Sequence, residues 1–499
     1  MNQPSILWQH LVSLVDKVND HFTSYRLLLY SLLAILGWSI VGSFTHQFSY
    51  SAGSIALSAA VLMGVGWGAN KLFSSLWNVP ANKESGLISG LILALIMTPA
   101  ASLNDYLFLA GAALVAIASK YILVWRRAHV FNPAAFGAFI AGVAFNYHAS
   151  WWIGTKFTTP LIAFLAIFIL RKIKRYSLVA VFCAVFVLAM IWSLPAGSST
   201  DAAHHLIWLG IISTPLLFFA TIMLTEPLTS PATLNPTLIY ALAVGALYSV
   251  HRLHASPEEA LLLGNALTLV IAPNRRYKLS FVRKVQEAQG IMSYIFAAPR
   301  KPRFQAGQYM EWTLAQAKSD SRGNRRYLTI ASSPTEDELM FTVKLPEKPS
   351  AFKQSLEALQ PGDPMYASYL SGSFILPKDA QRKITLIAGG VGITPFHSMI
   401  KSLLDRHENR DISLIYSVSK PEEIAFKNLF SQASSIGLKS LSTTNLTPQL
   451  ITTNLPDYKD RFFYISGPYG FVGMVEKQLL ELSVHPSHIV TDYFPGYGS

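Results

Sequence analysis

Two patterns of apolar and polar positions divide this chain. Up to Pro273, long apolar stretches recur with short polar gaps, ten in all: 26–44, 53–70, 86–99, 105–124, 133–147, 157–170, 176–195, 205–223, 236–251 and 258–272. A straight membrane-crossing helix needs roughly 20 apolar residues. Several of these stretches are shorter, which predicts broken or half-buried helices of the kind tolerated where they line a cavity. From Arg276 the period changes. YKLSFVRKV and ELMFTVKL alternate as half-buried strands do, and after Gln381 the runs KITLIAGG, DISLIYSV and RFFYISG alternate with helical patterns. The pattern therefore predicts a polytopic α-helical membrane domain of about ten spans, then a small antiparallel β-barrel, then a doubly wound α/β domain. The expected boundaries are 1–25, an amphipathic segment with Ile6, Leu7, Leu11, Leu14 and Val15 on one face; 26–273, the membrane domain; 274–379, the barrel; and 380–499, the α/β domain.

Composition agrees with this division. Of the 499 residues, 51% are hydrophobic and only 14% charged, against about a quarter charged in soluble domains. The net charge of +12 would suggest nucleic acid if it formed one patch, but much of it lies in short loops beside the apolar stretches. No nucleic-acid partner is expected. With the N-terminus inside, the inner loops carry Lys17, Arg26, Lys71, Lys83, Lys120, Arg126, Arg127, Arg171, Lys172, Lys174, Arg175, Arg275, Arg276 and Lys278, and the outer loops only Lys156 and Arg252. That asymmetry predicts both termini in the cytoplasm of a bacterial cell, with the chain in its inner membrane. The single cysteine, Cys183, lies in an apolar stretch and excludes disulfides, cysteine-bound iron–sulfur clusters and cysteine zinc sites; no metal site is expected. The membrane half also repeats itself. LILALIMTP (91–99) returns as FFATIMLTEP (218–227), and FNPAAFGAF (131–139) has a weaker counterpart in LLGNALTLV (262–270). Five stretches per unit require the second unit to be inverted, which places ligand sites near the midplane.

The motifs ESGLISGLILALIMTP (84–99), HVFNPAAFGAF (129–139), LTEPLTSP (224–231) and SPEEALLLGNALTLVIAP (256–273) resemble the membrane subunit shared by Rnf complexes and sodium-translocating NADH:quinone reductases. The resemblance implies a fold that binds flavins and passes electrons within the membrane. Members carry a Ser-x-Ala-Thr-like motif, whose Thr bears FMN, between the fifth and sixth spans; this chain has NYHASWWIGTKF (146–157) there, so no covalent flavin is expected. SPAT (230–233) imitates the motif but reads as a proline-rich helix breaker. A noncovalent FMN or riboflavin between spans stays open, with Asn132, Thr225, Glu226 and Asn265 as candidate polar liners. Glu226 divides equally between such a cavity role and a helix-end carboxylate facing water.

The later part resembles the ferredoxin–NADP reductase superfamily over about 220 residues, through four ordered motifs. In RRYLTIASSP (325–334), the resemblance gives Arg326 the FAD pyrophosphate, Thr329 the redox-active ring nitrogen, and the flavin-stacking slot, usually aromatic, to Leu328 beside Tyr327. In PSAFKQSL (349–356), Ser350 opens a helix whose free amides can receive phosphate. Gly389, Gly390 and Gly392, with Thr394 and Pro395, form a strand–turn–helix suited to a nicotinamide nucleotide pyrophosphate. Ser466, Gly467 and Pro468, with Asp492 and Phe494 near the C-terminus, match the place where nicotinamide meets flavin, Ser466 standing where relatives have Cys. Ser417, Ser419 and Lys420 follow the second strand of this domain, where a 2′-phosphate would sit. His397 reads as a solvated helix residue rather than a catalyst.

These readings converge on a membrane NAD(P)H-dependent flavin oxidoreductase that moves electrons from cytoplasmic NAD(P)H through FAD to a membrane flavin, a quinone or an extracytoplasmic flavoprotein. Two alternatives stay open. One is a haem-relay enzyme like the ferric reductases, although His129, His148, His204, His205, His251 and His254 form no two bis-axial pairs; the other is a redox-linked ion or flavin transporter subunit.

Overall fold

The computed structural model describes all residues except 1–13, 17, 20, 78, 80–81, 196, 250–254, 274, 315–322 and 495–499. Most of the amphipathic N-terminal segment, including Ile6, Leu7 and Leu11, lies outside them, as do His251 and His254. The chain forms two compact units, Met1–Arg275 and Arg276–Ser499.

Each apolar stretch of the first unit is helical over most of its described residues. The helices are α1 (Ser24–Phe44), α2 (Ala52–Leu76), α3 (Lys83–Ile96), α4 (Leu103–Ile122), α5 (Pro133–Phe145), α6 (Thr159–Ile173), α7 (Tyr176–Trp192), α8 (Thr200–Ile212), α9 (Leu216–Phe218, continued by a π-helix, Phe219–Met223), α10 (Leu234–Ser249) and α11 (Pro257–Ile271). A short hairpin, β1 (Val124–Trp125) and β2 (Ala128–His129), precedes α5. Among the described residues only α1, α2 and α4 have the length and composition of a membrane span, and α8 with α9 makes a fourth if counted as one span bent by 60°.

The shorter helices stop for local reasons. Pro99 disfavours helical backbone at Thr98, and α3 ends with Met97 already extended. Its last carbonyls are then satisfied by the 146–158 loop: Trp151 N–H donates to Ile96 O at 2.8 Å, the Trp152 indole to Ala94 O at 3.1 Å, and the Tyr147 hydroxyl to Thr98 O at 2.7 Å. Helices α2 and α3 cross at contact distance because Gly66 and Gly86 face each other; a Cβ on Gly86 would lie 2.5 Å from Gly66 O. Cys183 is half-buried against the helical core.

The second unit begins with a six-stranded antiparallel sheet built from β3 (Tyr277–Ala288), β4 (Ile291–Ala297), β5 (Tyr309–Leu314), β6 (Arg325–Thr329), β7 (Leu339–Lys344) and β8 (Pro364–Ser371), in the order β6-β5-β8-β3-β4-β7. The outer strands meet where Ala331 N–H donates to Met340 O at 2.7 Å, so the sheet curls into a barrel around Trp312, Phe296 and Phe341. Helix α12 (Ala351–Glu357) covers one end, with Phe352 in the core.

A parallel sheet of β9 (Ile384–Gly389), β10 (Ile412–Ser417), β11 (Lys439–Thr443), β12 (Phe462–Pro468) and β13 (Ile489–Phe494) follows, in the order β11-β10-β9-β12-β13. Helices α13 (Thr394–Asp405), α14 (Lys427–Gln432), α15 (Pro448–Asn454) and α16 (Tyr469–Glu481) cross over between strands. The order reverses between β9 and β12, and ligands of such sheets bind at the carboxyl ends of the strands flanking that reversal.

At the opposite, amino-terminal ends of these strands, Arg461, 4% exposed, donates to Asp457 at 2.8 Å and Asp411 at 2.7 Å, while Lys383 reaches Asp457 at 2.8 Å. The Arg461 and Lys383 hydrogen bonds hold the Asp457 carboxyl down at about 2. A carboxyl lowered in the folded state stabilises above its unfolded value and loses that contribution as pH falls through its folded value. Asp457→Asn is therefore expected to cost about 1 kcal/mol near neutral pH, a difference from wild type that shrinks below pH ~4 and disappears near pH ~2, read from urea unfolding of the protein at each pH.

Candidate nucleotide and flavin site

The Gly389–Ile393 turn lies at the topological reversal. Strand β9 ends at Gly389, Gly390 takes φ +54°, and a 3-10 turn, Gly390–Ile393, runs into α13 with Pro395 in its first turn. A Cβ on Gly392 would lie 2.2 Å from Ser466 O, so the turn rests directly on the end of β12. Thr394 closes it by donating to Val391 O at 3.2 Å. Strand β13 pairs with β12 in parallel, setting Asp492 beside Ser466, Tyr493 beside Gly467 and Phe494 beside Pro468. Ser417 ends β10 opposite Gly389, and Lys420 lies exposed just beyond.

On the barrel, Arg326 is buried and sets its guanidinium over the Phe352 ring at 4.8 Å, next to the α12 start where Ser350 caps Lys353 N–H at 3.4 Å. The two phosphate-binding elements expected from the sequence thus share one end of the barrel. Leu328 packs partly buried against the barrel core, and Tyr327 stays 39% exposed, edge-on to Tyr309 at 5.9 Å and Tyr369 at 6.0 Å. Tyr369 sits in left-handed backbone at φ +53°, opposite an irregularity in β5–β8 pairing. Nothing in SYLSG announces that conformation in a tyrosine. Thr329 is buried beside Tyr309.

Of the buried hydroxyls left without a hydrogen bond among the described residues, two lie near strand ends at this site. The Thr329 and Ser466 side-chain oxygens are buried and make no hydrogen bond among the described residues. An unsatisfied buried hydroxyl costs about 1–3 kcal/mol, so both positions suit a ligand that supplies the missing partner. His397 links their two surroundings and corrects the sequence reading. It is buried, not solvated: its Nδ1 bonds Ala331 O at 2.7 Å, its ring lies 4.1 Å from the Phe426 ring, and burial pushes its imidazole down to about 4. Ser398 adds a bond to Ser332 O at 2.7 Å. The segment after β6 is thereby fastened to α13, whose preceding turn carries Gly392 against Ser466. The helical period of FHSMIKSLL makes one face apolar but does not reveal that this face meets the barrel.

In the helical unit, Asn132 and Asn265 do come together. Asn132 caps α5 through Ala135 N–H at 3.0 Å, and its own N–H donates to Asn265 Oδ1 at 2.8 Å. Asn265 Nδ2 reaches Thr229 O at 3.2 Å and Tyr240 OH at 3.4 Å. Thr225 bonds back to Thr221 O at 2.8 Å beyond the π-helix. Glu226 accepts from Thr229 Oγ1 at 3.0 Å and lies 3.5 Å from His129 Nε2. The adjoining cavity, lined by His129, Thr229, Asn265 and Thr268 among others, measures about 10 Å³. It holds about one water. The four polar residues expected to line a flavin spend their groups on one another, on the backbone and on the side chains of Thr229, His129 and Tyr240, and the cavity beside them is not flavin-sized. Among the described residues no group of three or more His, Cys, Asp or Glu is arranged to hold a metal.

The second unit joins an antiparallel barrel to a parallel sheet whose glycine turn lies at the topological reversal. Comparison with known proteins matches residues 386–477 to the oxidoreductase NAD-binding domain and residues 153–276 to the NQR2, RnfD, RnfE family. A membrane-family segment and a reductase domain thus lie on one polypeptide. Curated relatives include flavohemoprotein A of Dictyostelium discoideum, 29% identical over 42% of this chain and 58% of that protein, and the glycine betaine monooxygenase reductase subunit of Chromohalobacter salexigens, 24% identical over 46% and 67%. The chain spans slightly under three fifths of the length of the first curated relatives it matches, 58% of flavohemoprotein A and 57% of the flavohemoprotein of Bacillus subtilis. Among solved structures, the FAD/NAD-binding domain of nitric oxide dioxygenase from Vibrio cholerae aligns at 22% identity with TM-score 0.39, covering 44% of this chain and 98% of that one.

Proposed function

We propose that this protein oxidises cytoplasmic NAD(P)H at an FAD held by the second unit and passes the electrons into or across the membrane, to a quinone or an extracytoplasmic flavoprotein. The pair of buried, unpartnered hydroxyls at the ends of β6 and β12, tied to one helix start by His397, carries this reading. Arg326 and the Ser350 helix start would hold the FAD pyrophosphate, and Thr329 would donate to the flavin ring. The Gly389–Gly392 turn and the start of α13, with Thr394 and Pro395, would receive the nicotinamide nucleotide pyrophosphate, Ser417 and Lys420 its ribose side, and Ser466 with Gly467 and Pro468 its reacting ring. Asp492, in register with Ser466, supplies a carboxylate at the same strand ends, and Phe494 would shield them. FAD, when bound, supplies the conversion of a hydride into electrons released one at a time.

The helical unit makes the acceptor side. Ten helical stretches with Lys and Arg gathered in alternate loops support two inverted five-helix repeats with both termini inside, in a bacterial inner membrane. The match to the NQR2, RnfD, RnfE family supports electron transfer there. Sealed right-side-out vesicles loaded with NAD(P)H should reduce an impermeant external acceptor or the quinone of the bilayer. Oxidation only by acceptors on the nucleotide's own side, with the quinone left oxidised, overturns the transmembrane route.

The FAD site has a test of its own. Arg326→Ala is expected to weaken FAD binding by about 2 kcal/mol, roughly thirtyfold, the loss of a charge-assisted contact to phosphate. Flavin released on dilution and gel filtration measures it, and unchanged retention removes Arg326 from the role.

A further inference from the structure

The pocket at the end of the β1–β2 hairpin contains chemistry that electron transfer alone does not require. His129 ends β2 with its side chain 14% exposed, and its Nε2 is buried without a hydrogen bond among the described residues. Glu226, on the loop after the π-helix, brings Oε1 to 3.5 Å from that nitrogen, while Thr229 fixes the other carboxylate oxygen at 3.0 Å. Arg175 steadies the far part of this loop by donating to Pro231 O at 2.5 Å. The pocket floor is polar, with Thr229, Asn265 and Thr268; its rim is apolar, with Leu228, Leu269 and Trp125, the last 53% exposed. An apolar mouth over a few converging polar groups suits the edge of a hydrophobic ring bearing one polar atom.

We infer that His129 and Glu226 form a proton-delivery pair for a quinone whose carbonyl edge enters this pocket; the inference rests on the proposed function above and adds residues to its acceptor side. Reduction of a quinone consumes two electrons and two protons and converts two C=O groups into C–OH. The electrons originate in NAD(P)H, which becomes NAD(P)+, and reach the quinone by way of the reductase unit. The protons need a separate path, because a space that holds about one water contains no bulk solvent. Protonated His129 donates from Nε2 to the quinone oxygen that enters the pocket, Glu226 then passes a proton to His129, and water at the exposed quarter of Glu226 restores it; the second oxygen, on the opposite edge of the ring, takes its proton from water outside the pocket. Thr229 holds Glu226 in line and is a positioning residue.

The test uses full-length protein in liposomes with two acceptors: decylubiquinone, which needs protons, and ferricyanide, which does not. His129→Gln and Glu226→Gln are expected to lower decylubiquinone reduction at least tenfold while ferricyanide reduction and FAD content stay within twofold of wild type. Imidazole is expected to restore quinone reduction to His129→Ala, which leaves a space beside Glu226, and not to Glu226→Gln. Quinone and ferricyanide rates that fall together, or an alanine variant that imidazole does not restore, overturn the pair. Wild-type protein that reduces membrane acceptors while both glutamine variants keep the decylubiquinone rate overturns the pair and leaves the proposed function standing. Wild-type protein that reduces no decylubiquinone overturns this inference, and if it also reduces no acceptor across the membrane, the proposed function falls with it.

Discussion

Replacing Gly392 by alanine is expected to slow reduction of the bound flavin by NAD(P)H by roughly a hundredfold, because a displacement of about 1 Å at a reacting centre has that effect. The added Cβ would stand 2.2 Å from Ser466 O. That oxygen belongs to backbone inside a parallel sheet, with β9 on one side of β12 and β13 on the other, so it cannot swing away as a flexible side chain would. The turn must move instead, and it is the turn that is proposed to carry the nucleotide. Stopped-flow absorbance with saturating NAD(P)H measures the rate, and dithionite reduction of the same sample checks that the flavin is present. Gly390→Ala tests a different constraint at the neighbouring residue. Its Cβ would meet nothing within 4 Å, and its penalty comes from φ +54° alone. It should be the milder of the two, at about 1 kcal/mol of stability.

The second large effect is expected in the helical unit. Asn265→Ala should destabilise it by about 3 kcal/mol, since one side chain serves both Asn132 N–H and Thr229 O and its removal leaves two buried backbone groups bare. Thermal unfolding in detergent, followed by intrinsic fluorescence, measures the loss. Asn132→Ala gives the scale. It removes only the cap on Ala135 N–H and leaves its own backbone bond to Asn265 in place, so about 1 kcal/mol is expected. Equal losses in the two variants would show that Asn265 does not hold the two segments together.

These two sites also show what sequence can and cannot convey. Gly389, Gly390 and Gly392 were legible because a glycine cluster between an apolar strand and a helix has few other uses, and the strand order then brought Ser466 to it. Asn132 and Asn265 were legible as polar residues in apolar stretches, yet their partners were not. Their mutual bond joins positions 133 residues apart, and no local period encodes such a pairing. His397 was misread for the same reason: a histidine on an amphipathic helix looks solvated until the barrel segment at Ala331 is laid against it. In the sequence His129 reads only as a candidate haem ligand, because its relation to Glu226 depends on where the hairpin and a loop almost a hundred residues later converge. Tyr369 gave no signal at all, since only the paired sheet reveals the irregularity that turns it. The ten apolar stretches were plain, but their apolar length did not show where proline and loop contacts cut helices short.

The way α3 ends bears on how the protein is made. The carbonyls of Ala94, in its last turn, and Thr98, just beyond it, find partners in Trp152 and Tyr147, 58 and 49 residues further along the chain. While the ribosome is still synthesising α4 and α5, those carbonyls lack the partners they have in the folded protein. The first five helices are therefore expected to complete their packing only once the loop after α5, with Tyr147, Trp151 and Trp152, has emerged. The connecting loop acts as a latch on biogenesis, and a nascent chain stalled after α5 should remain with the insertion machinery, exposed to quality-control proteolysis, instead of being released into the bilayer.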